Sequence, residues 1–168
     1  SMLDSFTPIA GMVPLINMKL DAVIYGGVGS GLYSALLMVI LTVFVSGLMI
    51  GRTPEYLGNK ISPFDIKMIV FAVLSYAVVI YFCSALAVCS EAGIKGLGNS
   101  GPHGLSEILY AYTSCVANNG SSFAGLSANT PFYNVTLALA MLARRFFVII
   151  PTMALAGSFI HKKKKKKT

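Results

Sequence analysis

Residues 68–90 read MIVFAVLSYAVVIYFCSALAVCS and contain no charged side chain. At a rise of 1.5 Å per residue, a helix of these 23 residues is about 35 Å long, which exceeds the roughly 30 Å hydrocarbon core of a bilayer. Lys67 and Glu91 bound the stretch on its two sides. The sequence therefore predicts a membrane-spanning helix here.

Two further stretches have the same character. Residues 32–50 are 19 residues without a charge, and residues 131–160 are a 30-residue apolar stretch interrupted by Arg144 and Arg145. Thirty helical residues reach about 45 Å, so this last helix is expected to tilt, to bend near Pro151 or to protrude. Three spanning helices predict an all-α integral membrane protein.

The composition favours a membrane protein over a soluble one. Charged residues make up 11% of the 168 residues, against roughly 25% in soluble domains, and hydrophobic residues make up 55%. The net charge of +7 does not indicate nucleic-acid binding, because Lys162 to Lys167 contribute +6 and leave +1 for the rest of the chain. Residues 161–168 are expected to be a basic cytoplasmic tail beside anionic lipid headgroups.

Two apolar segments are too short or too interrupted to span. Residues 6–18 contain two prolines and run into a glycine-rich loop, which predicts a broken N-terminal half-helix. Residues 106–117 predict a helix of about 18 Å, half a bilayer, with Ser106 as its N-cap and Glu107 in its first turn. This helix ends at residues 118–122, Asn-Asn-Gly-Ser-Ser, and is expected to be a re-entrant pore helix.

The segment that follows this short helix has the chemistry of an ion site. Carbonyl groups that leave a helix inside a membrane need partners, because each unsatisfied group costs several kcal/mol in hydrocarbon. A dehydrated cation is such a partner at the C-terminal end of a pore helix. Gly120 would permit a backbone conformation closed to other residues. The alternative is an extracellular Asn-Gly turn, but the half-length helix and the small residues 121–125 favour a pore loop.

The glycine-rich segment and the two arginines each admit two interpretations. Residues 26–31, Gly-Gly-Val-Gly-Ser-Gly, are either a hinge or plug inside a broken span or a surface for close helix packing. Their G-x-G-x-G spacing and the membrane span that follows exclude a nucleotide-binding loop. Arg144 and Arg145 either face a cavity or partner at mid-membrane depth or lie at an interface, if the span begins late.

The charges between the spans orient the chain. Lys and Arg number 3 between the first two spans, 1 between the second and third, and 6 after the third. The positive-inside rule therefore places the first connection and the tail in the cytoplasm. Residues 98–103 and both ends of the Asn-Asn-Gly segment then face outside.

Five motifs stand in order along the chain. They are residues 26–33 (GGVGSGLY), 47–58 (GLMIGRTPEYLG), 101–104 (GPHG), 118–129 (NNGSSFAGLSAN) and 148–151 (VIIP). Together they resemble the potassium-binding, translocating subunit of bacterial Kdp potassium-transporting ATPases. The resemblance implies a potassium-channel-like fold, in which four helix, pore-loop and helix repeats surround one filter, and a place in the bacterial cytoplasmic membrane.

The resemblance also implies roles for particular residues. Residues 1–60 correspond to the second helix of the third repeat, broken at the glycine-rich loop, and residues 61–160 to the fourth repeat. The fourth filter strand, whose carbonyls coordinate potassium, corresponds to Asn118, Asn119, Gly120 and Ser121. The gate beneath the filter corresponds to Gly26, Gly27, Gly29, Ser30, Gly31 and Arg145. Arg144 stands where the family pattern has a small residue, which leaves open which arginine faces the cavity.

The resemblance implies partners as well. The ATP-hydrolysing catalytic subunit and small accessory subunits would belong to the same pump, and this chain would not itself be an enzyme. One filter strand cannot surround an ion, so the remaining pore repeats or another copy of the chain would complete it. Two alternatives are a secondary ion carrier with discontinuous helices, which also binds ions through unwound backbone, and a non-conducting accessory membrane subunit.

Overall fold

The computed structural model describes residues 2–21, 31–121 and 124–162. After a 3₁₀ turn at Leu3–Ser5, the chain forms six α-helices and one two-stranded hairpin within these ranges. In chain order the elements are α1 Pro8–Asp21, α2 Gly31–Met49, β1 Glu55–Tyr56, β2 Asn59–Lys60, α3 Pro63–Cys89, α4 Glu91–Ile94, α5 Pro102–Val116 and α6 Pro131–His161.

Three of the helices are long and apolar enough to cross a membrane. They are α2 with 19 residues, α3 with 27 and α6 with 31. The predicted all-α membrane class and its three spans are therefore confirmed. Most of the outward side chains on these helices are large and apolar, as expected for surfaces that face lipid or further membrane helices.

Helix α3 begins before the charge-free stretch that predicted it. Ser62 is the N-cap, Pro63 occupies the first helical turn, and the Asp65 carboxylate accepts a hydrogen bond from the Ser62 backbone N–H at 2.7 Å. This capping box satisfies N–H groups that would otherwise have no helical partner. The polar first turn lies ahead of residue 68, so the helix is longer than the apolar stretch indicated.

Helix α6 is one continuous element in which Pro151 lies inside the helix. Its N-cap is Thr130, whose Oγ1 accepts a hydrogen bond from the Tyr133 N–H at 3.3 Å. At about 1.5 Å per residue its 31 residues reach about 46 Å, so it exceeds the thickness of the hydrocarbon core. The prediction that this helix is longer than the hydrocarbon core is therefore confirmed.

The N-terminal half-helix is less interrupted than its prolines indicated. Helix α1 continues through Pro14 as far as Asp21, three residues beyond the predicted end at residue 18. Four of the predicted gate residues, Gly26, Gly27, Gly29 and Ser30, lie outside the described residues. Gly31 is the first residue of α2 and is buried.

The predicted start of the pore helix was wrong. Helix α5 begins at Pro102, with Gly101 as its N-cap residue, four residues before the predicted start at Ser106. Pro102 fits the first helical position because that position needs no backbone N–H. The hydroxyl of Ser106 instead donates to the His103 carbonyl oxygen at 2.6 Å, within the helix. With 15 residues the helix is about 22 Å long, still too short to span.

The hairpin between α2 and α3 was not predicted. Glu55 pairs with Lys60 and Tyr56 pairs with Asn59, so Leu57 and Gly58 form a two-residue turn. Both turn residues have positive φ, +50° and +78°, as a type I′ hairpin turn requires. Leucine is an unusual residue in that conformation, which explains why the dipeptide gives no hairpin signal in the sequence.

Two apolar clusters place the short helix α5 between two spanning helices and the N-terminal part of the chain. One joins α5 to α3 and α6 through Ile80, Ile108, Tyr112, Val116 and Tyr133, all nearly inaccessible to solvent. The other joins α5 to the N-terminal segment and α1, and its buried members are Leu3, Met18, Tyr110, Ala111 and Ala124. The C-terminal end of α5 is therefore enclosed on both sides.

Candidate functional site

The C-terminal end of α5 turns the backbone out of the helix in a defined way. Asn118 has φ +61°, the left-handed conformation that closes many helices. The Asn118 N–H donates to the Cys115 carbonyl oxygen at 3.1 Å, and the Asn119 N–H donates to the Ser114 carbonyl oxygen at 2.9 Å. This pair of bonds is a Schellman motif, which ends the helix at the residues predicted to leave it.

The next N–H groups also point back to Ser114. The Gly120 N–H donates to the Ser114 carbonyl oxygen at 3.2 Å, and the Ser121 N–H donates to the Ser114 hydroxyl at 2.9 Å. Three successive N–H groups thus end on one residue of α5. Among the hydrogen bonds of residues 2–21, 31–121 and 124–162, none ends on a carbonyl oxygen of residues 118–121.

Gly120 has the backbone conformation for which glycine was proposed. Its φ is +64°, in the left-handed region that side chains disfavour. A Cβ placed on Gly120 would have no heavy atom of the described residues within 4 Å. The backbone angle therefore favours glycine at this position, and no described residue crowds it.

Helices α1 and α6 flank residues 118–121, called here the filter segment after the role that the sequence predicts for them. Arg145 Nη2 on α6 donates to the side-chain Oδ1 of Asn118 at 3.3 Å. The Asn119 side-chain amide lies 3.6 Å from the sulfur of Met18, on α1. The structure thus brings the predicted residues 118–121, Arg145 and the end of the first half-helix together.

The two neighbouring arginines have different surroundings. Arg145 is exposed and reaches the filter segment, whereas the guanidinium of Arg144 lies 5.5 Å from the centre of the Tyr76 ring on α3. Arg144 also lines a cavity of about 60 Å³ with residues of α2, α3 and α6, among them Ser34 and Val148. Its Nε is buried and makes no hydrogen bond to any described residue. The geometry separates one arginine at the filter segment from one inside the helix packing.

A buried carboxyl group, that of Glu107, lies further back on α5. Glu107 is fully buried, and its two oxygens accept hydrogen bonds from Gly98 N at 3.0 Å and from Asn99 Nδ2 at 2.7 Å. The sequence interpretation placed Glu107 in the first helical turn, where acidic residues are normally exposed. It missed the burial because the two donors come from a loop whose path the helical pattern does not reveal.

A second charged cluster lies at the other end of the spanning helices. The buried carboxylate of Asp65, at the start of α3, forms a salt bridge with Lys162, which follows α6. It also accepts a hydrogen bond from Ser158 Oγ at 2.6 Å. The start of α3 and the end of α6 therefore lie on the same side of the bundle, as the charges between the predicted spans required.

Comparisons with known proteins agree with the motifs. The family model described as the potassium-transporting ATPase A subunit matches residues 1–168. A potassium-transporting ATPase potassium-binding subunit of Methylobacterium nodulans is 57% identical over 163 residues, which cover 97% of this chain and 28% of the relative. The corresponding proteins of Yersinia pseudotuberculosis and Polynucleobacter asymbioticus are 57% and 58% identical over 164 residues, covering 98% of this chain and 29% and 28% of their own length.

The extent of these matches shows the family of the chain and the share of its relatives that the chain covers. The chain spans less than a third of the length of these curated relatives. The family match covers every residue of the chain, including the filter segment and both arginines. The chain therefore belongs to the potassium-transporting ATPase A subunit family.

Proposed function

We propose that this chain is part of a channel-like membrane subunit that binds and translocates potassium in an ATP-driven uptake pump. In this proposal the carbonyl oxygens of Asn118, Asn119, Gly120 and Ser121 form one strand of the selectivity filter. The observation that carries it is the convergence of three successive N–H groups on Ser114. A trans peptide directs its N–H and C=O groups to opposite sides, so the carbonyl oxygens of Asn118, Asn119 and Gly120 point away from Ser114, and no described residue donates a hydrogen bond to them.

The position of the segment supports a cation in particular. It follows the C-terminal end of α5, where the helix dipole presents partial negative charge. Rings of backbone carbonyls at such a position replace the hydration shell of potassium in channel filters. A left-handed Gly120 breaks the alternation of a regular extended strand, and in this proposal it aims adjacent carbonyl oxygens toward the ion path.

One filter strand is a quarter of a four-fold site. The relatives are more than three times as long as this chain, and we assign the missing strands to the remaining pore repeats of the complete subunit. The energy would come from a separate catalytic subunit that hydrolyses ATP, and small accessory subunits would complete the pump. The potassium ion is then the transported substrate, and this chain is not the enzyme.

Arg145 and the glycine-rich segment 26–31 are assigned to the gate below the filter. The bond from Arg145 to Asn118 holds a positive charge beside the filter segment, where it opposes the entry of a second cation. The glycine-rich segment connects α1, which touches the filter segment through Met18, to α2. Movement at these glycines would change the ion path next to the filter.

The orientation follows from charge. The hairpin between α2 and α3 and the end of α6 lie at the end that carries Asp65 and Lys162, and the basic run continues from there. The positive-inside rule assigns that end to the cytoplasm and residues 98–103 to the outside of the bacterial inner membrane. Potassium would therefore meet the filter from the outside.

The test replaces Gly120 with aspartate in the complete subunit assembled with its pump. The Cβ and the charge would disturb the backbone at φ +64°, so potassium-activated ATPase activity should need at least about tenfold more potassium, or should lose its preference for potassium over sodium. Gly58→Asp is the matched control, because Gly58 also has positive φ and open space, but lies in the hairpin at the other end. Unchanged potassium dependence in Gly120→Asp would refute the filter assignment.

A further inference from the structure

The N-terminal segment and the loop before α5 are joined by hydrogen bonds that converge on Asn99. The Asn99 side-chain amide donates to Glu107 Oε1 at 2.7 Å and to the Asp4 carbonyl oxygen at 3.1 Å. Gly98 N–H donates to the other Glu107 oxygen at 3.0 Å. In the tautomer with its proton on Nε2, His103 donates to the same Asp4 carbonyl oxygen at 3.3 Å.

The side chain of Asp4 is packed against the chain that leaves the filter segment. A Cβ placed on Gly125 would lie 2.7 Å from Asp4 Cγ and from Asp4 Oδ1, a distance that real Cβ atoms do not show. Gly125 has φ +79° and comes four residues after Ser121. Leu3, next to Asp4, is buried in the cluster that contains Tyr110 and Ala124. The N-terminal segment is thus wedged between the loop before the pore helix and the chain after the filter segment.

This arrangement holds the pore helix through buried hydrogen bonds. Water cannot easily replace their donors, so the loss of a donor is costly in free energy. Glu107 is completely buried, and both of its oxygens depend on neutral N–H donors from residues 98 and 99. A buried acceptor that loses its donor retains the penalty of desolvation. Loss of the Asn99 amide removes the partner of Glu107 Oε1 and one partner of the Asp4 carbonyl oxygen together.

We infer that Asp4, Asn99 and Glu107 form a positioning network that sets the selectivity of the filter segment. The network fixes the depth of α5, and α5 fixes residues 118–121 through Ser114. This inference rests on the proposed function of residues 118–121.

The experiment uses the complete subunit in its assembled pump and measures ATPase activation by potassium and by rubidium, the next larger alkali cation. Asn99→Ala should reduce the ratio of half-activating rubidium to half-activating potassium concentration by about three- to tenfold, because a displaced carbonyl ring discriminates less by size. His103→Ala, which removes one of the two donors to Asp4, should give a smaller loss in the same direction. His103→Gln, which keeps a side-chain N–H donor, should restore most of the ratio.

Asn134→Ala is the control, since it removes an exposed amide near the same end of the bundle and should leave the ratio unchanged. If Gly120→Asp alters selectivity but Asn99→Ala and His103→Ala keep the wild-type ratio, the network only supports folding and the inference is overturned. If Asn99→Ala fails to assemble, the ratio in His103→Ala decides the matter. If Gly120→Asp leaves both the potassium dependence and the selectivity unchanged, the proposed function fails first.

Discussion

Asp65 and Glu107 are both completely buried carboxylates, and they lie at opposite ends of the bundle. Asp65 has Lys162 as an ionic partner and also accepts from Ser158 at 2.6 Å. Glu107 has only neutral partners among the described residues, the Asn99 amide and the Gly98 N–H. Charge is thus neutralised at the end assigned to the cytoplasm, whereas near the filter segment a carboxylate stands without a basic partner in the described part of the chain.

The difference indicates two separate tasks. A buried ion pair joins the ends of α3 and α6 and contributes to the stability of the bundle, provided that neither partner is removed. At the other end, neutral donors from residues 98 and 99 hold Glu107, and with it α5, next to the segment to which we assign a filter strand. Damage at the first end should therefore reduce stability, and damage at the second end should change ion preference.

The largest loss of stability is expected from Asp65→Ala. The substitution removes the capping box of α3 and leaves Lys162 and Ser158 without their common partner. We expect the free energy of unfolding to fall by about 3 kcal/mol. The ratio of half-activating rubidium to half-activating potassium concentration should stay unchanged. Thermal unfolding of the purified complete subunit in detergent measures the first quantity, and ATPase activation measures the second.

Glu91→Ala is the control for this prediction. Glu91 is an exposed carboxylate in the first turn of α4, so its removal should cost a few tenths of a kcal/mol. An unchanged unfolding temperature in Asp65→Ala, or an altered ion ratio, would contradict the separation of the two ends.

The sequence was sufficient for the spanning helices but not for this contrast. Charge-free stretches predicted α2, α3 and α6, because the exclusion of charge from hydrocarbon is a local property of the sequence. The break at residues 118–121 was also predicted, since a half-length helix followed by Asn-Asn-Gly is a local pattern. The bond from Asn99 to Asp4 joins residues 95 positions apart, and no periodicity in the sequence encodes such a contact.

Local signals were also outweighed at the start of α5. Ser106 is a good N-cap residue, but Pro102 at the first helical position begins the helix a full turn earlier. The extra turn moves Glu107 from the helix end into the buried face, where it meets Gly98 and Asn99. The error in one boundary therefore hid the residue that distinguishes the filter end.

The next test compares two glycines with positive φ, and the expected loss of stability is intermediate. Gly125 lies against Asp4, whereas Gly51, at the other end of the bundle, has no heavy atom of the described chain within 4 Å of a Cβ placed on it. Alanine at either position meets the left-handed backbone strain of about 1 kcal/mol. Gly125→Ala must in addition displace Asp4, which should raise its total loss of stability to about 2 kcal/mol.

The same pair separates stability from selectivity. Gly125→Ala should lower the rubidium to potassium ratio as Asn99→Ala does, and Gly51→Ala should not. Equal unfolding temperatures for the two alanine variants would show that the Asp4 side chain moves aside at no cost. The close contact between Asp4 and Gly125 would then not constrain the filter segment.

The smallest effects on stability are expected from the adjacent arginines. Arg144 belongs to the packing of the helices, and Arg145 lies beside the filter segment. Arg144→Met loses the cation–π contact with Tyr76, which lowers stability. It also removes a buried Nε that makes no hydrogen bond to any described residue, which raises stability. Because these two effects oppose each other, the free energy of unfolding should change by less than about 1 kcal/mol. Its potassium activation should be unchanged, because its side chain lies inside the helix packing.

Arg145→Met should affect stability even less, since the bond to Asn118 is exposed, yet it removes a positive charge beside the filter segment. We expect the half-activating potassium concentration to fall about threefold, because repulsion between that charge and the bound cation is lost. Arg145→Lys keeps the charge and should remain near the wild-type value. Potassium activation that responds to Arg144→Met and not to Arg145→Met would reverse the assignment, and would place the ion path between α2 and α3 rather than beside Asn118.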